Sequence, residues 1–490
     1  MPPLKTIYLT IIFILIIPYP ITTGDQSYIS ILITQKGLTF TKDLLISKAI
    51  SSLTPTPIPE IVKTVKIPLI GKVHVVLKDI SINGVQVGSS DVVPSVGGVV
   101  IVGNGVSCEL EVKWHYSYGT WVGPVSVSDS GTASIKVDGM EISVTLDMVN
   151  KEGSMNLSIV ECNCHINDIS IDLDGGASWL YQGIVDAFED EIVLAVEKAI
   201  TKKLKAGISH LESILQTLPK QIPVDDTASL NVTFVNNPYM SDTSLGVEIN
   251  GLFVENKTHA HSYHNGLQPP VSCSESSKMI GIALDEAVFK SASALYYNAK
   301  FMHWIVDKIP QQSILNTAGW RFIVPQLYKK YPNADMNLDI TLSDPPDMQI
   351  SWQKIGAIVY ADLIIDVLEG DDTIPVACIS LVIAGTGSVE LVGKNLKSHM
   401  NLDDFTMSLK WSKIGTLHMF LIQPVMWTII ETVFLPYVNA RLGVGFPLPI
   451  IRGFMLQNAE IIPSDSRITV CSDVAYEEYV DSSRSLVSTS

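Results

Sequence analysis

The sequence predicts an α+β protein made of two similar halves, each an antiparallel sheet covered by a long helix. The first observation behind this prediction is that apolar and polar residues alternate along many segments, as in strands with one buried face. The second is that helical patterns are few and occupy matching places, one near the start and one near the end of each half. The alternating segments are 72–87, 106–114, 131–148, 166–173, 245–254, 336–342, 356–366 and 379–392.

The predicted helices are 41–53 and 179–208 in the first half, and 284–306 and 424–442 in the second. Segment 179–208 carries an apolar stripe at steps of three and four residues, which is typical of a helix packed along one face. A curved sheet closed by such a helix describes a barrel that its own strands do not fill, although stripes also form ordinary cores. The stripe comprises Leu180, Ile184, Ala187, Phe188, Ile192, Ala195, Val196, Ala199 and Ile200.

The composition predicts a large core and an acidic surface. The 490 residues are 47% hydrophobic and 17% charged, which excludes a disordered chain. The formal net charge is −17, so we expect neither a nucleic-acid partner nor a strongly basic, membrane-disrupting protein. The sequence predicts no particular oligomeric state.

The first residues have the layout of a secretory signal peptide. Lys5 precedes the apolar run 7–17, and the small polar stretch 21–25 follows it. The run ends at Pro18, short of the roughly 20 apolar residues that a spanning helix needs. We therefore expect 1–24 to be removed and the mature protein to be secreted and extracellular.

A second apolar stretch, 416–438, lies in the late part of the chain. It contains His418, Gln423, Pro424 and Glu431. These polar and helix-breaking residues favour an amphipathic helix over a core rather than a transmembrane span.

Two turns are predicted in the first half. Asp138-Gly139 lies between alternating strands, which is typical of a type I′ hairpin. Residues 113–121, KWHYSYGTW, fall between two strand patterns and read as another turn. Trp and Tyr at an exposed turn prefer a partner that is apolar on one side and open to water on the other. These rings therefore face a ligand or a membrane, or they pack under a neighbouring loop. The aromatic residues of this segment are Trp114, Tyr116, Tyr118 and Trp121.

Two further kinds of residue are consistent with an exported protein, namely glycosylation sequons and cysteines that can form disulfides. Three sequons, at Asn156, Asn231 and Asn256, are candidate glycosylation sites. Six cysteines could form disulfides in an oxidising compartment, with fifteen possible pairings. Structural disulfides are favoured over a redox pair for the two that are separated by one residue. The cysteines are Cys108, Cys162, Cys164, Cys273, Cys378 and Cys471.

Known catalytic and metal-binding patterns are not evident in the sequence. His259, His261 and His264 have metal-compatible spacing, but they have no nearby cysteine or carboxylate and read as a solvated loop. Gly385 and Gly387 lie within alternating strand sequence and indicate a bulge rather than a phosphate-binding loop. We expect no enzyme activity, no cofactor and no metal site.

Five segments together resemble one family. ITQKGLTF (33–40), VKIPLIGKVHVVLKDISI (65–82), CNCHINDISIDLDGGASWLYQ (162–182), TLP (217–219) and LPYVNARLGVGFPLP (435–449) occur in order. They resemble bactericidal/permeability-increasing protein and lipopolysaccharide-binding protein, and the overall pattern is most similar to the plant branch of that family.

The resemblance implies an elongated boomerang of two similar antiparallel barrels, each with a long helix, joined by a central sheet. It implies a first barrel at 25–214, a linker and central sheet at 215–230, a second barrel at 231–475 and a flexible tail at 476–490. It also implies apolar pockets that receive the acyl chains of lipids. The pocket candidates on the first-half helices are Leu44, Leu45, Leu180, Ile184 and Phe188.

The resemblance also implies roles for the segment 113–121, which falls where the family has a basic tip that meets lipid phosphates. This chain keeps Lys113 and His115 there and is otherwise aromatic, so the segment is expected to touch a lipid surface. Lysines at other positions are headgroup candidates, namely Lys63, Lys66, Lys72 and Lys78. The family's strand-to-helix disulfide would use Cys162, but Thr201 stands at the helix position.

We therefore expect a secreted protein that binds lipopolysaccharide, phospholipid or both, touches lipid surfaces peripherally and serves innate defence, in the apoplast if the source is a plant. The alternative is a general phospholipid carrier without microbial recognition. A structural or receptor-type glycoprotein with closed pockets is a third hypothesis, and an enzyme is the last.

Overall fold

The computed structural model describes residues 26–477 except 69, 96–97, 121–124, 174–177, 256–270, 272, 274–276 and 309–311, and no side chain at 173, 178–183 or 186. The predicted signal peptide and most of the predicted tail lie outside the described residues. So do Trp121, Asn256, His259, His261 and His264.

The described strands, in chain order, are β1 (Ile29–Thr34), β2 (Thr56–Ile58), β3 (Ile61–Ile67), β4 (Gly71–Gln86), β5 (Ser89–Ser95), β6 (Gly98–Gly119), β7 (Ser126–Lys151), β8 (Ser154–His165), β9 (Asp168–Leu173), β10 (Gln221–Pro223), β11 (Ala228–Asn231), β12 (Tyr239–Ser241), β13 (Ser244–Ile249), β14 (Phe253–Glu255), β15 (Ile280–Asp285), β16 (His303–Val306), β17 (Asp335–Leu342), β18 (Asp347–Ile350), β19 (Ile355–Glu369), β20 (Asp372–Val392), β21 (Asn395–Ser412), β22 (Phe446–Pro447), β23 (Phe454–Ser464) and β24 (Arg467–Tyr476).

The described helices are α1 (Gln35–Leu53), α2 (Ser178–Gln216), α3 (Glu286–Asn298), α4 (Pro325–Lys330), α5 (Met419–Ile429) and α6 (Leu435–Leu442). Two 3₁₀ helices (Gln312–Leu315 and Thr317–Trp320) precede α4, and a π-helix (Ile430–Phe434) joins α5 to α6. The predicted helix 284–306 is wrong at both ends, because the residues before Glu286 and after Phe301 pair as strands β15 and β16.

The first half forms an eight-stranded antiparallel sheet in the order β2-β4-β6-β7-β8, with β3 on β4, β5 on β6 and β9 on β7. Alternation along the strands creates the buried face: Val73, Val75 and Leu77 of β4 are buried while their neighbours point outward. In the described residues the two edges of this sheet do not pair, so the sheet is open rather than a closed barrel. Helix α2 contacts β2 and β3 at one edge and β8 and β9 at the other, and thereby covers the opening.

The predicted hairpin at Asp138-Gly139 is wrong. Strand β7 runs unbroken from Ser126 to Lys151, and its register with β6 shifts near this dipeptide, which marks a bulge. Gly139 has φ of +66°, the left-handed conformation that glycine tolerates at a bulge. The dipeptide does not reverse the chain because β6 pairs with β7 on both sides of it.

The second half forms a seven-stranded antiparallel sheet in the order β16-β17-β19-β20-β21-β22, with β18 on β19. The predicted bulge in β20 is confirmed by a register shift between Ala384 and Gly385. The late apolar stretch is helical from Met419 to Leu442. Its inward residues pack on the sheet, as predicted for a helix over a core; they are Ile422, Met426, Ile429, Ile430 and Phe434.

A six-stranded central sheet joins the halves in the order β12-β13-β1-β15-β24-β23. Strand β1, from the start of the chain, lies between β13 and β15, so Ile31 is paired with Val247 on one side and Ile282 on the other. Strands β10, β11 and β14 form a separate three-stranded sheet. The central sheet is therefore built from segments far apart in sequence, β1 near residue 30 and β23–β24 near residue 465, whereas the sheet of each half comes from one continuous stretch of chain.

Candidate functional site

An apolar cavity of about 30 Å³ lies in the first half, between the concave face of the sheet and the first turns of α2. Four strands and the helix contribute its walls. The lining residues are Val75, Leu77, Val112, Trp114, Tyr116, Ala133, Ile135, Ile171, Ile184, Val185, Phe188 and Ile192. Every one of them is apolar or aromatic, so the site can accept hydrocarbon but offers no acid, base or nucleophile for chemistry.

Strand geometry places the sheet residues in this cavity. Successive side chains alternate between faces, so every second residue of β4, β6 and β7 points inward. The cross-strand pairs Leu77–Trp114 and Val75–Tyr116 therefore stand next to each other on the inner face. The predicted stripe of α2 supplies the opposite wall, with Ile184, Phe188 and Ile192 at four-residue steps.

The segment 113–119 is strand, not turn, and this part of the sequence prediction is wrong. It is the end of β6, paired residue by residue with β4 and β7. Trp114 and Tyr116 are 4% and 6% exposed and line the cavity, while Lys113 points outward. The alternation that predicted the strand up to Trp114 continues through Tyr118, and this was the signal that sequence reasoning missed.

The inward rings form a ladder along β6. Trp114 and Tyr116 stack with ring centroids 5.8 Å apart and an interplanar angle of 7°, and Tyr116 and Tyr118 follow at 6.3 Å and 15°. The indole nitrogen Nε1 of Trp114 donates a hydrogen bond of 3.0 Å to the carbonyl oxygen of Thr132. The ring of Trp114 lies over Gly131, where an added Cβ would come within 2.5 Å of it. The ladder is therefore fixed in place by its neighbours.

The remaining pocket candidates lie in different places. Ile184 and Phe188 line the cavity, and the side chain of Leu180 lies outside the described residues. Leu44 and Leu45 are half-buried on α1 and do not line the cavity.

The headgroup candidates separate into two groups. Lys66 and Lys72 are cross-strand partners, as are Lys78 and Lys113, and all four are exposed on the outer face of the sheet. Lys63 instead faces α2, where its Nζ donates a 2.7 Å hydrogen bond to the carbonyl oxygen of Ala187 and pairs with the carboxylate of Glu191. No local pattern in the sequence indicates that Glu191 is its partner.

The Lys63–Glu191 pair lies beside the cavity, since Ala187 and Glu191 each adjoin a lining residue of α2. The hydrogen bond from Lys63 holds the pKa of the Glu191 carboxyl below its usual value. The second carboxylate oxygen, Oε2, is buried and has no hydrogen-bond partner among the described residues. The pair thus fixes the cavity-covering turns of α2 to the edge strand β3.

Comparison with known proteins matches both halves of the chain. Residues 37–218 match the N-terminal domain model of the LBP / BPI / CETP family, and residues 223–476 match its C-terminal domain model. The chain belongs to the LBP/BPI/CETP family. The resemblance drawn from the five sequence segments is confirmed.

Relatives from this family align with nearly the whole of this chain. A BPI/LBP family protein of Arabidopsis thaliana is 55% identical over 457 residues, covering 93% of this chain and 94% of the relative. Human lipopolysaccharide-binding protein is 23% identical over 440 residues, covering 86% and 88%. The crystal structure of a lipopolysaccharide-binding protein superposes with a TM-score of 0.68 at 20% identity, over 92% of this chain and all of that one. This match confirms the predicted fold class, with open rather than closed barrels.

This protein lacks the strand-to-helix disulfide that the family resemblance implied. Structural disulfides were predicted for Cys162 and Cys164, but both are unpaired, as are Cys108 and Cys378, so this prediction is wrong. Cys162 packs in a cluster with Leu204 and Ile208 of α2, and α2 contains no cysteine that could pair with it. The disulfide among the described residues joins Cys273 to Cys471, 198 residues apart, and ties the segment before β15 to β24.

Two sequons fall on engaged side chains. Asn156 is 8% exposed, and its Oδ1 accepts a 3.1 Å hydrogen bond from Nε2 of Gln216, so this sequon lies on a buried side chain. Burial therefore argues against the surface glycan predicted at Asn156. Asn231 is half-buried, and its Oδ1 accepts hydrogen bonds from the backbone nitrogen and the hydroxyl of Thr233.

Metal ligands do not converge in the described part of the chain, where no three His, Cys, Asp or Glu side chains form a group that could hold an ion. The histidine triplet of the sequence lies outside that part.

Proposed function

We propose that this protein is a secreted lipid-binding protein that takes the acyl chains of phospholipid or lipopolysaccharide between α2 and the sheet of the first half. The observation that carries the proposal is the wholly apolar cavity there, walled by the aromatic ladder of β6 on one side and the stripe of α2 on the other. It is a binding function without a chemical reaction. The alternative is a general phospholipid carrier that plays no part in defence.

Uptake of a lipid acyl chain requires α2 to move. The cavity of about 30 Å³ is roughly a tenth of the ~300 Å³ at the lower end of small-molecule sites. Only the helix can make room, because the opposite wall is a hydrogen-bonded sheet in which β6 pairs on both sides. The first turns of α2 are therefore the moving part of the site.

The Lys63–Glu191 pair opposes this movement. It joins α2 to β3 through a side chain on each, and a second bond runs from Lys63 to the helix backbone at Ala187. Lys63 is also the headgroup candidate nearest the cavity, since Lys66, Lys72 and Lys78 face outward, as does Lys113. A lipid phosphate that binds Lys63 would compete with Glu191 and release the helix as the chains enter.

The energetics favour selection by headgroup. Burying a methylene is worth about 0.8 kcal/mol relative to water. Lipids arrive from a bilayer or micelle, where their chains are already buried, so most of this gain cancels. Discrimination between lipids then depends on phosphate contacts, for which Lys63 and the outward pairs Lys66–Lys72 and Lys78–Lys113 are the candidates. The similarity to human lipopolysaccharide-binding protein supports lipopolysaccharide as a ligand.

Secretion is supported by two observations. Residues 1–24 have the layout of a signal peptide. The Cys273–Cys471 disulfide is of the kind that persists in oxidising compartments. For a plant source the proposed location is the apoplast, and the proposed role is defence against Gram-negative bacteria.

Lipid binding is tested by filling the cavity. Ile184→Trp should abolish binding of a fluorescent phospholipid while the circular dichroism spectrum stays unchanged. Leu194→Trp is the matched control, since Leu194 is on the same helix but 64% exposed. A folded Ile184→Trp protein that binds lipid normally would refute the pocket.

Competition then separates the two ligand classes. Lipopolysaccharide should displace the fluorescent phospholipid at lower concentration than unlabelled phosphatidylcholine does. Equal displacement by both would favour the general carrier. Mass spectrometry of lipids extracted from the secreted protein would show which class it carries.

A further inference from the structure

The second half exposes large apolar side chains at one end of its sheet. Strand β19 turns into β20 at this end, and α5 starts there shortly after β21 ends at Ser412. Phe322 is 79% exposed and Phe420 is 70% exposed. Leu421 and Trp427, on α5, are also exposed. We name Phe322, Phe420, Leu421 and Trp427 the distal surface.

Packing brings the two segments of the distal surface together. Ile414 and Leu417, before α5, belong to the same buried cluster as Trp320 and Leu327, which flank Phe322. Gly415 lies against α4, since a Cβ added to it would be 3.1 Å from Oε1 of Gln326. Phe322 precedes Gln326 by four residues and Phe420 follows Gly415 by five, so the two exposed rings lie on segments that pack against each other.

Helix α5 is apolar on both faces. Ile422 and Met426 are buried against the sheet, while Phe420 and Trp427 on the other face are exposed. Among the described residues, Met419–Leu442 is the helix whose length and composition would allow it to cross a membrane, with a mean hydropathy of 1.5. Only 28% of that apolar window is buried, although its inner side packs on the sheet. A packed helix with an apolar outer side suits a position flat on a lipid surface.

The charges around the distal surface are nearly balanced. Residues 405–430 contain Lys410 and Lys413 but no acid, and residues 312–334 contain three basic residues and no acid. The β19–β20 turn places Glu369, Asp371 and Asp372 at the same end. Apolar contact rather than charge must therefore supply most of any attraction to this surface.

We propose that the distal surface binds to the face of a phospholipid bilayer, with Phe322, Phe420 and Leu421 inserted below the headgroups and Trp427 at their level. Trp prefers this boundary because one end of its ring system is apolar and the other can donate a hydrogen bond. Arg321, whose guanidinium lies 4.5 Å from the Phe322 ring centroid, would lie among the phosphates. This contact is separate from the proposed pocket of the first half.

Co-sedimentation of the full chain with phosphatidylcholine vesicles tests the proposal. A triple variant, Phe322→Ser/Phe420→Ser/Leu421→Ser, should partition into vesicles about tenfold less or weaker still, because each side chain loses the gain from leaving water. Trp352→Ser is the matched control: Trp352 is 67% exposed in the loop between β18 and β19, at the opposite end of the sheet. It should leave partitioning unchanged. High salt should have little effect on the wild-type protein.

Two outcomes would overturn the proposal. One is unchanged partitioning of a folded triple variant. The other is a triple variant that loses a dimer in light scattering without losing vesicle binding, which would mean that a second copy covers the surface. The Ile184→Trp protein distinguishes this contact from the pocket, because it should still partition normally. If Ile184→Trp abolishes partitioning, vesicle binding belongs to the first half and the distal surface is not the contact.

Discussion

Glu191→Gln should accelerate lipid uptake, because it weakens the bond that holds α2 over the cavity. The substitution keeps the shape of the side chain and removes its charge. The side chains of Lys63 and Glu191 are 37% and 35% exposed, so solvent screens the pair, and its expected worth is about 0.2–1 kcal/mol. A loss of up to about 1 kcal/mol corresponds to an increase of up to about fivefold in the population with α2 displaced.

Stopped-flow transfer of a self-quenched fluorescent phospholipid from vesicles measures this rate. Lys136→Met is the matched control: Lys136 also forms an ion pair, with Asp138 at 2.9 Å, but on the exposed outer face of the sheet and outside the proposed phosphate contacts. It should leave the rate unchanged. Lys63→Met separates two roles of the lysine, because it should speed the opening of α2 yet weaken the final affinity if Lys63 also binds phosphate.

The same pair predicts a pH dependence. The hydrogen bond from Lys63 lowers the pKa of Glu191, so the pair's contribution is complete above the unfolded pKa of glutamate, about 4.3. It is lost as pH falls through the lower folded pKa. Uptake by the wild-type protein should therefore accelerate in acid, and Glu191→Gln should not show that increment. A folded Glu191→Gln protein with a wild-type rate at neutral pH would refute the reasoning.

Three further predictions concern the first half. Trp114→Ala should lower the free energy of unfolding in urea by about 3–5 kcal/mol, since its ring is buried. Lys113→Ala should change that free energy by less than about 0.5 kcal/mol. Similar values for the two variants would contradict the inward placement of Trp114. Burial raises the pKa of Cys108 and of Cys164 to about 12, so iodoacetamide at pH 8 should label neither thiol until the protein is denatured, and labelling of the native protein would show that they are accessible. Asn156→Gln should leave the glycan mass of the secreted protein unchanged, and a loss of one glycan would show that Asn156 is exposed.

Much of the fold could be predicted from the sequence because strand alternation is a local signal. Segments 356–366 and 379–392 alternate cleanly and form parts of β19 and β20. The predicted turn at Asp138-Gly139 does not form, because the partner strand β6 continues past this dipeptide on both sides. Pairing along the length of β6 outweighs the local preference for a turn. Such pairing over long distances cannot be seen in one strand's residues.

The candidate site was partly predicted for the same reason. Ile184 and Phe188 were found because the stripe of α2 is periodic within one helix. Trp114 and Tyr116 lie on a strand and not in the predicted turn, because their spacing of two residues continues the alternation of β6. The partnership of Lys63 with Glu191 joins residues 128 apart and depends on how the helix crosses the sheet edge, which no local pattern contains.

Exposed aromatic rings of the second half contrast with the inward ladder of the first half, and this difference bears on how an acidic protein can reach a membrane. In the first half Trp114 and Tyr116 face inward over the cavity, whereas in the second half Phe322 and Phe420 face outward. A chain with a formal net charge of −17 is repelled by anionic lipid surfaces over roughly a Debye length, about 8 Å at physiological salt. Contact through uncharged rings acts within that distance and is not screened by salt. A surface of this kind can hold the protein at a bilayer while the inward rings of the other half receive the chains, so the two functions need not share residues.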